Sequence, residues 1–255
     1  MQRWIGLFLI LAAILVAALA PVLAPHDPMR SGIDMLDLPS PQYPFGTDDL
    51  GRDILSRVIY GARTSLTIGI GAACVAMLIG VPLGLSAGFF RGRYDLAIVA
   101  LIDLFIALPG LVLALIITAM VGPTLRNLVL VLGFVMWPSV ARLVRGQALA
   151  IRETPFVEAA RAAGGSHAWI IRRHVWPNVV RVAAPQFAVT VAFAIFTSAS
   201  LSFLGLGIPP PTPDWGGMVR TGYDYLAINP FMSLGPGAAV TLTVMGFYVA
   251  GASFK

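Results

Sequence analysis

The sequence predicts an all-α polytopic membrane protein in which residues 1–255 form a single transmembrane domain with six transmembrane helices. Apolar residues make up 58% of the chain, charged residues make up only 11%, and the mean hydropathy is +0.84. These values lie far outside the range of soluble domains of this length. Long charge-free segments recur along the chain, and in lipid such segments form helices of about 20 residues because a helix satisfies its own backbone polar groups.

Six segments are long and apolar enough to be spans. Their approximate bounds are Trp4–Leu23, Thr64–Phe90, Leu96–Val121, Leu128–Val144, Val182–Leu204 and Leu234–Phe254. The first could instead be a cleaved signal peptide, because Arg3 precedes it and Ala18-Leu19-Ala20 resembles a cleavage site. Its apolar run is longer than the about 7–15 residues of a signal core, and Pro21 directly follows the site. We therefore prefer an uncleaved span.

The second segment carries the clearest packing signal. It is an uncharged run between Arg63 and Arg91. Within it, Gly80, Gly84 and Gly88 recur every four residues, a spacing that lets a neighbouring helix approach closely. The fourth segment is the shortest of the six, and the sixth occupies the end of the chain.

The distribution of basic residues predicts the orientation. Six spans place both termini on one side, and Lys and Arg near span ends favour the cytoplasm. With both termini in the cytoplasm, the cytoplasmic set is Arg3, Arg91, Arg93, Arg142, Arg145, Arg152, Arg161, Arg172, Arg173, Arg181 and Lys255. The outer set is Arg30, Arg52, Arg57, Arg63, Arg126 and Arg220. The larger cytoplasmic set favours this orientation over its reverse.

A charged segment, residues 153–177, separates the fourth and fifth predicted spans. Pro155 fits the first turn of a helix, and Gly164-Gly165-Ser166 then breaks that helix. Ser166 can cap a second short helix that runs through Arg173, and Pro177 closes the unit. Two short helices joined by a glycine turn at the cytoplasmic surface would suit docking to another protein. A solvated connecting loop is the alternative interpretation.

The same segment resembles the EAA loop of ABC-importer permeases, whose pattern is EAA-x3-G-x9-I-x-L-P. Glu158-Ala159-Ala160 is followed after three residues by Gly164 and after nine more by His174-Val175-Trp176-Pro177. The spacing agrees throughout. His174 and Trp176 occupy the positions at which the family pattern has Ile and Leu.

Two further stretches are similar to permeases of the dipeptide, oligopeptide and nickel importer family. FGTDDLGRDILSRVIYGARTSL, residues 45–66, resembles the family segment before the second span. LSFLGLGIPPPTPDWGGMV, residues 201–219, resembles the stretch after the fifth span. Such permeases usually continue past the last span with a Gly-Asp and an Arg-Asp-rich tail, whereas this sequence has Ala252-Ser253-Phe254-Lys255 there.

The resemblance implies a transport subunit that catalyses no reaction itself. Its expected partners are a second homologous permease, two ATPase subunits, an extracytoplasmic substrate-binding protein and membrane lipid, in a bacterial cytoplasmic (inner) membrane. ATP and Mg would bind to the partner ATPases, and no cofactor is expected on this chain. The positions that match the ATPase-coupling motif are Glu158, Ala159, Ala160, Gly164, His174, Trp176 and Pro177.

The composition independently indicates that ATP is bound by a separate subunit. A Walker A phosphate loop requires a lysine, and the single lysine of this sequence is Lys255. Basic residues are not interleaved with aromatic residues in a nucleic-acid-binding pattern, so nucleic acid is not an expected partner. No cluster has metal-ligand spacing, and no metal site is predicted.

The alternative class is a gradient-driven secondary transporter or channel, which would carry ionisable residues within its spans. Asp103 is the one clear case, five residues before Leu108-Pro109. It could line the translocation pathway, or it could pair with an arginine as a structural anchor.

Four hydroxyl residues of the fifth span, Thr197, Ser198, Ser200 and Ser202, are further pathway candidates. They could line a polar path, but hydroxyl groups in apolar helices also bond to the backbone or bridge helices. Both interpretations stay open.

Overall fold

The computed structural model describes residues 2–253 and is almost entirely helical. The predicted end of the sixth span, Phe254, and Lys255 lie outside these residues. Within the described residues there are eleven α-helices, and the only β-pairing is the isolated bridge between Thr47 and Asp53. The helices are α1 (Gln2–Ala18), α2 (Ala20–Leu23), α3 (Ile54–Phe90), α4 (Gly92–Ala107), α5 (Gly110–Val121), α6 (Leu125–Arg152), α7 (Pro155–Ala162), α8 (His167–Ile170), α9 (Trp176–Leu201), α10 (Trp215–Asp224) and α11 (Phe231–Ala252). Two π-helical turns, Ile171–Val175 and Ser202–Leu206, flank α9.

Four helical runs among the described residues are long and apolar enough to cross a membrane: Ile54–Phe90, Leu125–Arg152, His167–Leu206 and Phe231–Ala252. The α4–α5 pair makes a fifth if it is one bent span. The first predicted span corresponds to α1, an apolar helix of 17 residues that is shorter than the others. The all-helical membrane fold is confirmed, and the count of six crossings stays a prediction.

The third predicted span is not one straight helix. α4 and α5 meet at an angle of 85° around Leu108 and Pro109. Leu108 has an extended conformation with ψ 135°, which the following proline ring favours because it clashes with a helical residue before it. Pro109 also lacks the N–H group that would continue the hydrogen-bond ladder, so the break lies where the sequence places proline.

α3 and α6 run parallel and touch through their backbones. A β-carbon built on Gly80 would lie 2.7 Å from the carbonyl oxygen of Trp137, and one on Gly88 would lie 2.6 Å from that of Arg145. A β-carbon on Gly84 would collide with the carbonyl of Ala141. The close packing predicted from the four-residue glycine spacing is therefore confirmed, and α6 is the partner helix.

α3 begins ten residues before the second predicted span because the preceding segment, residues 24–53, buries its polar first turns. The side chain of Asp53 accepts a hydrogen bond from the Ser56 amide (2.9 Å) and caps the helix. Arg57 is buried and donates to the carbonyl of Pro28 (2.8 Å). The charged residues at the start of the helix therefore have polar partners within the protein.

The beginning of α1 and the end of α11 lie at the same end of the molecule. A β-carbon on Gly6 would lie 2.6 Å from the amide nitrogen of Ala250, and one on Gly246 would lie 2.8 Å from the β-carbon of Leu9. The segment 153–177 lies at this end too, because α9 begins at its end and a β-carbon on Gly251 of α11 would lie 2.8 Å from the Pro185 carbonyl oxygen in the first part of α9. We call this end the loop end and the opposite one the far end.

We expect Gly84→Ala to destabilise the protein by about 1–3 kcal/mol, because the added methyl group forces α3 and α6 apart. The matched control is Gly146→Ala on α6, where a β-carbon would meet no atom within 4 Å. Since alanine favours a helix over glycine, that control should leave stability unchanged or slightly raised. Thermal unfolding of the purified variants in detergent measures the difference, and equal midpoints would contradict the packing argument.

Candidate functional site

The segment 153–177 folds as two short helices around a glycine turn. α7 ends at Ala162, and Gly164 adopts φ +80°, a left-handed conformation that other residues seldom take. The Gly165 amide donates to the carbonyl of Ala160 at 3.0 Å and so closes the turn. The side chain of Ser166 then accepts a hydrogen bond from the amide of Trp169 and begins α8.

The prediction that Pro177 closes this unit is wrong. α8 passes through the π-helical turn Ile171–Val175 directly into α9, and Pro177 lies in the first turn of α9. In the wide turn the Trp176 amide donates to the carbonyl of Ile171, five residues earlier. A wide turn accommodates a proline, whose ring would otherwise clash with the preceding helical turn and whose missing N–H would leave a gap in the ladder.

A hydrophobic cluster attaches the segment to the membrane helices. Val157 of α7, Ile170 of α8 and Val175 of the π-turn are fully buried. They pack with residues of α3 and α6, including Phe89 and Val144. Displacing the segment would therefore require moving α3 and α6 with it, or exposing this apolar surface.

The opposite side of the segment is exposed and partly apolar. Phe156, Trp169 and Trp176 are each about half exposed, at 46%, 50% and 47%. Glu158 is exposed, and no hydrogen bond or ion pair connects its carboxylate to another described residue. Large aromatic side chains beside a free carboxylate form a surface suited to another protein.

Some of the remaining residues that match the EAA pattern lie on this exposed surface, and others pack beneath it. Ala159, Gly164 and Pro177 are exposed, whereas Ala160 is half-buried against the hydrophobic cluster. The His174 ring lies 5.1 Å from that of Trp169, measured between centroids, and so supports an exposed aromatic residue from behind.

Ion pairs join the helices near the loop end. The Arg145 guanidinium makes two hydrogen bonds to the carboxylate of Asp95, at 2.5 and 2.7 Å, and connects α6 to α4. Arg142, one turn away, pairs with Asp103, and both side chains are more than half exposed. The structure thus gives Asp103 a basic partner.

The four hydroxyl candidates do not form one polar path. Thr197 lines a cavity of about 350 Å³ between α5, α6 and α9. Ser198 is buried, and Ser200 donates to the carbonyl of Phe196 at 2.9 Å within its own helix. Ser202 lies at a second cavity near the far end.

This far-end cavity has a volume of about 430 Å³. Its lining contains five charged side chains: Asp48, Arg52, Arg57, Asp214 and Arg220. The α10 helix, which carries Arg220 and which Asp214 caps, is absent from the sequence-based prediction because it is short and lies between two spans. Its signal in the sequence is Asp214 three residues before Gly217, whose amide donates to that carboxylate at 3.0 Å.

Across residues 2–253, no three His, Cys, Asp or Glu side chains come together as a metal site. The single cysteine, Cys74, is free and exposed.

Comparison with known protein families and sequences gives consistent matches. The family model described as "Binding-protein-dependent transport system inner membrane component" matches residues 80–254. A glutathione transport system permease protein of Escherichia coli is 40% identical over 249 residues, covering 96% of this chain and 82% of that protein. A dipeptide transport system permease protein of Alkalihalophilus pseudofirmus is 37% identical over 248 residues, covering 97% and 82%.

The fold also matches a solved structure. The MetNI methionine ABC transporter in an inward-facing conformation aligns with a TM-score of 0.65 and 20% sequence identity. The alignment covers 78% of this chain and 95% of that one. At this identity the similarity concerns the arrangement of helices alone.

The buried carboxyl of Asp214 predicts a pH-dependent stability. Burial raises the pKa of Asp214 above its ordinary value of 3.8. A raised folded-state pKa gives stability that is present below the unfolded pKa and lost as the pH rises through the folded pKa.

Asparagine caps a helix equally well but does not titrate. We therefore expect Asp214→Asn to raise the thermal-unfolding midpoint at pH 8 and to lose much of this advantage at pH 5. An equal increase in the unfolding midpoint at both pH values would contradict a raised pKa for Asp214.

Proposed function

This chain belongs to the family of binding-protein-dependent transport system inner membrane components, which are non-enzymatic transport permeases, and we propose that it carries peptides or a related small solute as one subunit of an ATP-driven importer. The relatives named as dipeptide and glutathione permeases support this solute class. The whole chain, residues 1–255, would form one permease domain.

The observation that carries the proposal is the two-sided construction of the segment 153–177. One side presents Phe156, Trp169 and the free carboxylate of Glu158. The other side packs into the ends of α3 and α6 through fully buried residues. A force applied to the exposed side by a separate ATPase would therefore be transmitted directly to the spans. ATP-driven transport requires such a transmission.

Each position of the coupling motif has a role in this proposal. Glu158 makes charge-assisted hydrogen bonds to the ATPase, and the small, exposed side chain of Ala159 lets that partner approach α7, while Ala160 packs against the hydrophobic cluster. Gly164 provides the left-handed turn between the helices. His174, Trp176 and Pro177 form the second half of the contact surface.

The proposed assembly contains this permease, a second homologous permease and two ATPase subunits that bind ATP and Mg. An extracytoplasmic binding protein delivers the solute to the far end. In this orientation both termini face the cytoplasm, in agreement with the excess of basic residues predicted for that side. The proximity of Gly6 to Ala250 supports a common side for the two ends.

The translocation pathway would pass the exposed faces of α4, α5 and α9. Thr197 at the cavity of about 350 Å³ and the exposed Asp103–Arg142 ion pair are the candidate lining groups. Ionisable side chains within membrane helices face water-filled or protein-lined space, which supports a position on the pathway side for this ion pair. Ser198 and Ser200 would serve helix packing, since one is buried and the other bonds to its own helix.

The glycine turn allows a test of ATPase coupling. We expect Gly164→Val to reduce co-purification of the ATPase subunits at least tenfold, because a β-branched residue is strained at φ +80°. Gly164→Asn should retain them, since asparagine tolerates this conformation. No atom lies within 4 Å of a β-carbon at this position, so neither variant creates a clash within the chain.

The measurement is affinity purification of the tagged chain from membranes in mild detergent, followed by subunit identification and an ATPase assay. Glu158→Gln should lower the ATPase activity of the recovered complex, while Gly146→Ala serves as the unaffected control. A lone chain that transports solute in proteoliposomes without ATP would contradict the proposed function and would favour the gradient-driven alternative.

A further inference from the structure

The far-end cavity contains a positive charge that no residue of the described part of the chain neutralises. Arg220 on α10 is exposed and lines the cavity. No hydrogen bond or ion pair connects its guanidinium to another residue within 2–253. Its Nη1 atom lies close to Gly205 of the turn Ser202–Leu206.

The two other arginines of the lining are already paired. Arg52 donates to the carboxylate of Asp48 at 2.7 Å, and Arg57 Nε lies 3.5 Å from the same oxygen. Arg57 also donates to the Pro28 carbonyl. One carboxylate thus serves two guanidinium groups, with Asp49 at 3.8 Å from Arg52 as a weaker contact. On this side, two guanidinium groups are therefore balanced by two carboxylates.

The opposite wall adds little negative charge. Asp214 is 5% exposed, and its carboxylate is already engaged by the amide of Gly217. Burial raises the pKa of this carboxyl and so disfavours its charged form. Beside it, Ser202 is 3% exposed, and its hydroxyl interacts with the Asp214 carboxyl.

We propose that the far-end cavity is a receiving site that binds the carboxylate of an incoming solute through the guanidinium of Arg220. The proposal rests on the proposed function, which places this end outside the cytoplasm. A guanidinium binds a carboxylate through two parallel hydrogen bonds. The cavity volume of about 430 Å³ lies within the range of about 300–1,000 Å³ for small-molecule sites. Dipeptides and glutathione, for which two relatives are named, both carry carboxylates.

The test uses the complete transporter without its binding protein, in nanodiscs of phosphatidylcholine, whose headgroup has no net charge, so that neither that protein nor an anionic lipid competes for Arg220. The probes are tri-alanine and its C-terminal amide, which differ in the carboxylate alone. Equilibrium dialysis or calorimetry measures their affinities at pH 7. We expect the wild-type complex to bind tri-alanine about tenfold or more tightly than the amide, the difference that one charge-assisted contact provides.

Three variants test whether Arg220 causes the preference for tri-alanine over its amide. Arg220→Gln should abolish the difference between the two peptides, and Arg220→Lys should keep part of it because the charge remains. Arg126→Gln is the matched control, since Arg126 is another exposed arginine near the far end but does not line the cavity. It should keep the wild-type preference.

Equal binding of the two peptides by the wild type, binding of neither, or a preference that survives Arg220→Gln would each overturn the proposal. If neither peptide binds but Arg220→Gln weakens the affinity for the binding protein, the guanidinium serves protein docking instead. Failure of the proposed function is a separate result, because it would appear as missing ATPase subunits in the purified complex before any peptide is added.

Discussion

Backbone contact between α3 and α6 is the constraint on which the other elements depend. Helices in lipid gain little from hydrophobic association with each other, so close van der Waals packing has to hold them. The glycines at positions 80, 84 and 88 remove the side chains that would keep the two backbones apart. Asp95 and Arg145 then attach α4 to this pair, and the hydrophobic cluster attaches the segment 153–177. The segment 153–177, which carries the proposed contact surface for the ATPase, is thereby attached to the α3–α6 pair.

Several charged groups around this centre have partners within the protein. Near the loop end, Arg91 pairs with Glu153, and Arg152 donates to the Phe89 carbonyl. Arg220, beside the far-end cavity, and the exposed carboxylate of Glu158, at the loop end, have no ion-pair partner among the described residues. Both groups lie where the proposed solute and ATPase would meet the chain.

Much of the architecture could be predicted from the sequence because local rules determine it. Glycine spacing predicted the close approach of α3 to a neighbour, and Gly164-Gly165-Ser166 predicted a turn between two short helices. Contacts between distant residues could not be predicted in this way. The pair formed by Gly205 and Arg220, the identity of α6 as the partner of α3 and the cavity itself depend on tertiary packing. Pro177 misled the prediction because its disruptive effect depends on whether the preceding turn can widen.

The continuity of α9 with α8 has a mechanical consequence. From His167 to Leu201 the chain is one helical run of about 50 Å at the standard rise per residue. One end of this run carries Trp169 and Trp176, which lie on the exposed surface of the segment 153–177. Its opposite end lies beside Ser202 at the wall of the far-end cavity. Because the run is continuous, a tilt of about 5° about its midpoint would displace its two ends by about 2 Å in opposite directions. Events at the ATPase and the shape of the receiving cavity would then be coupled through a single helix.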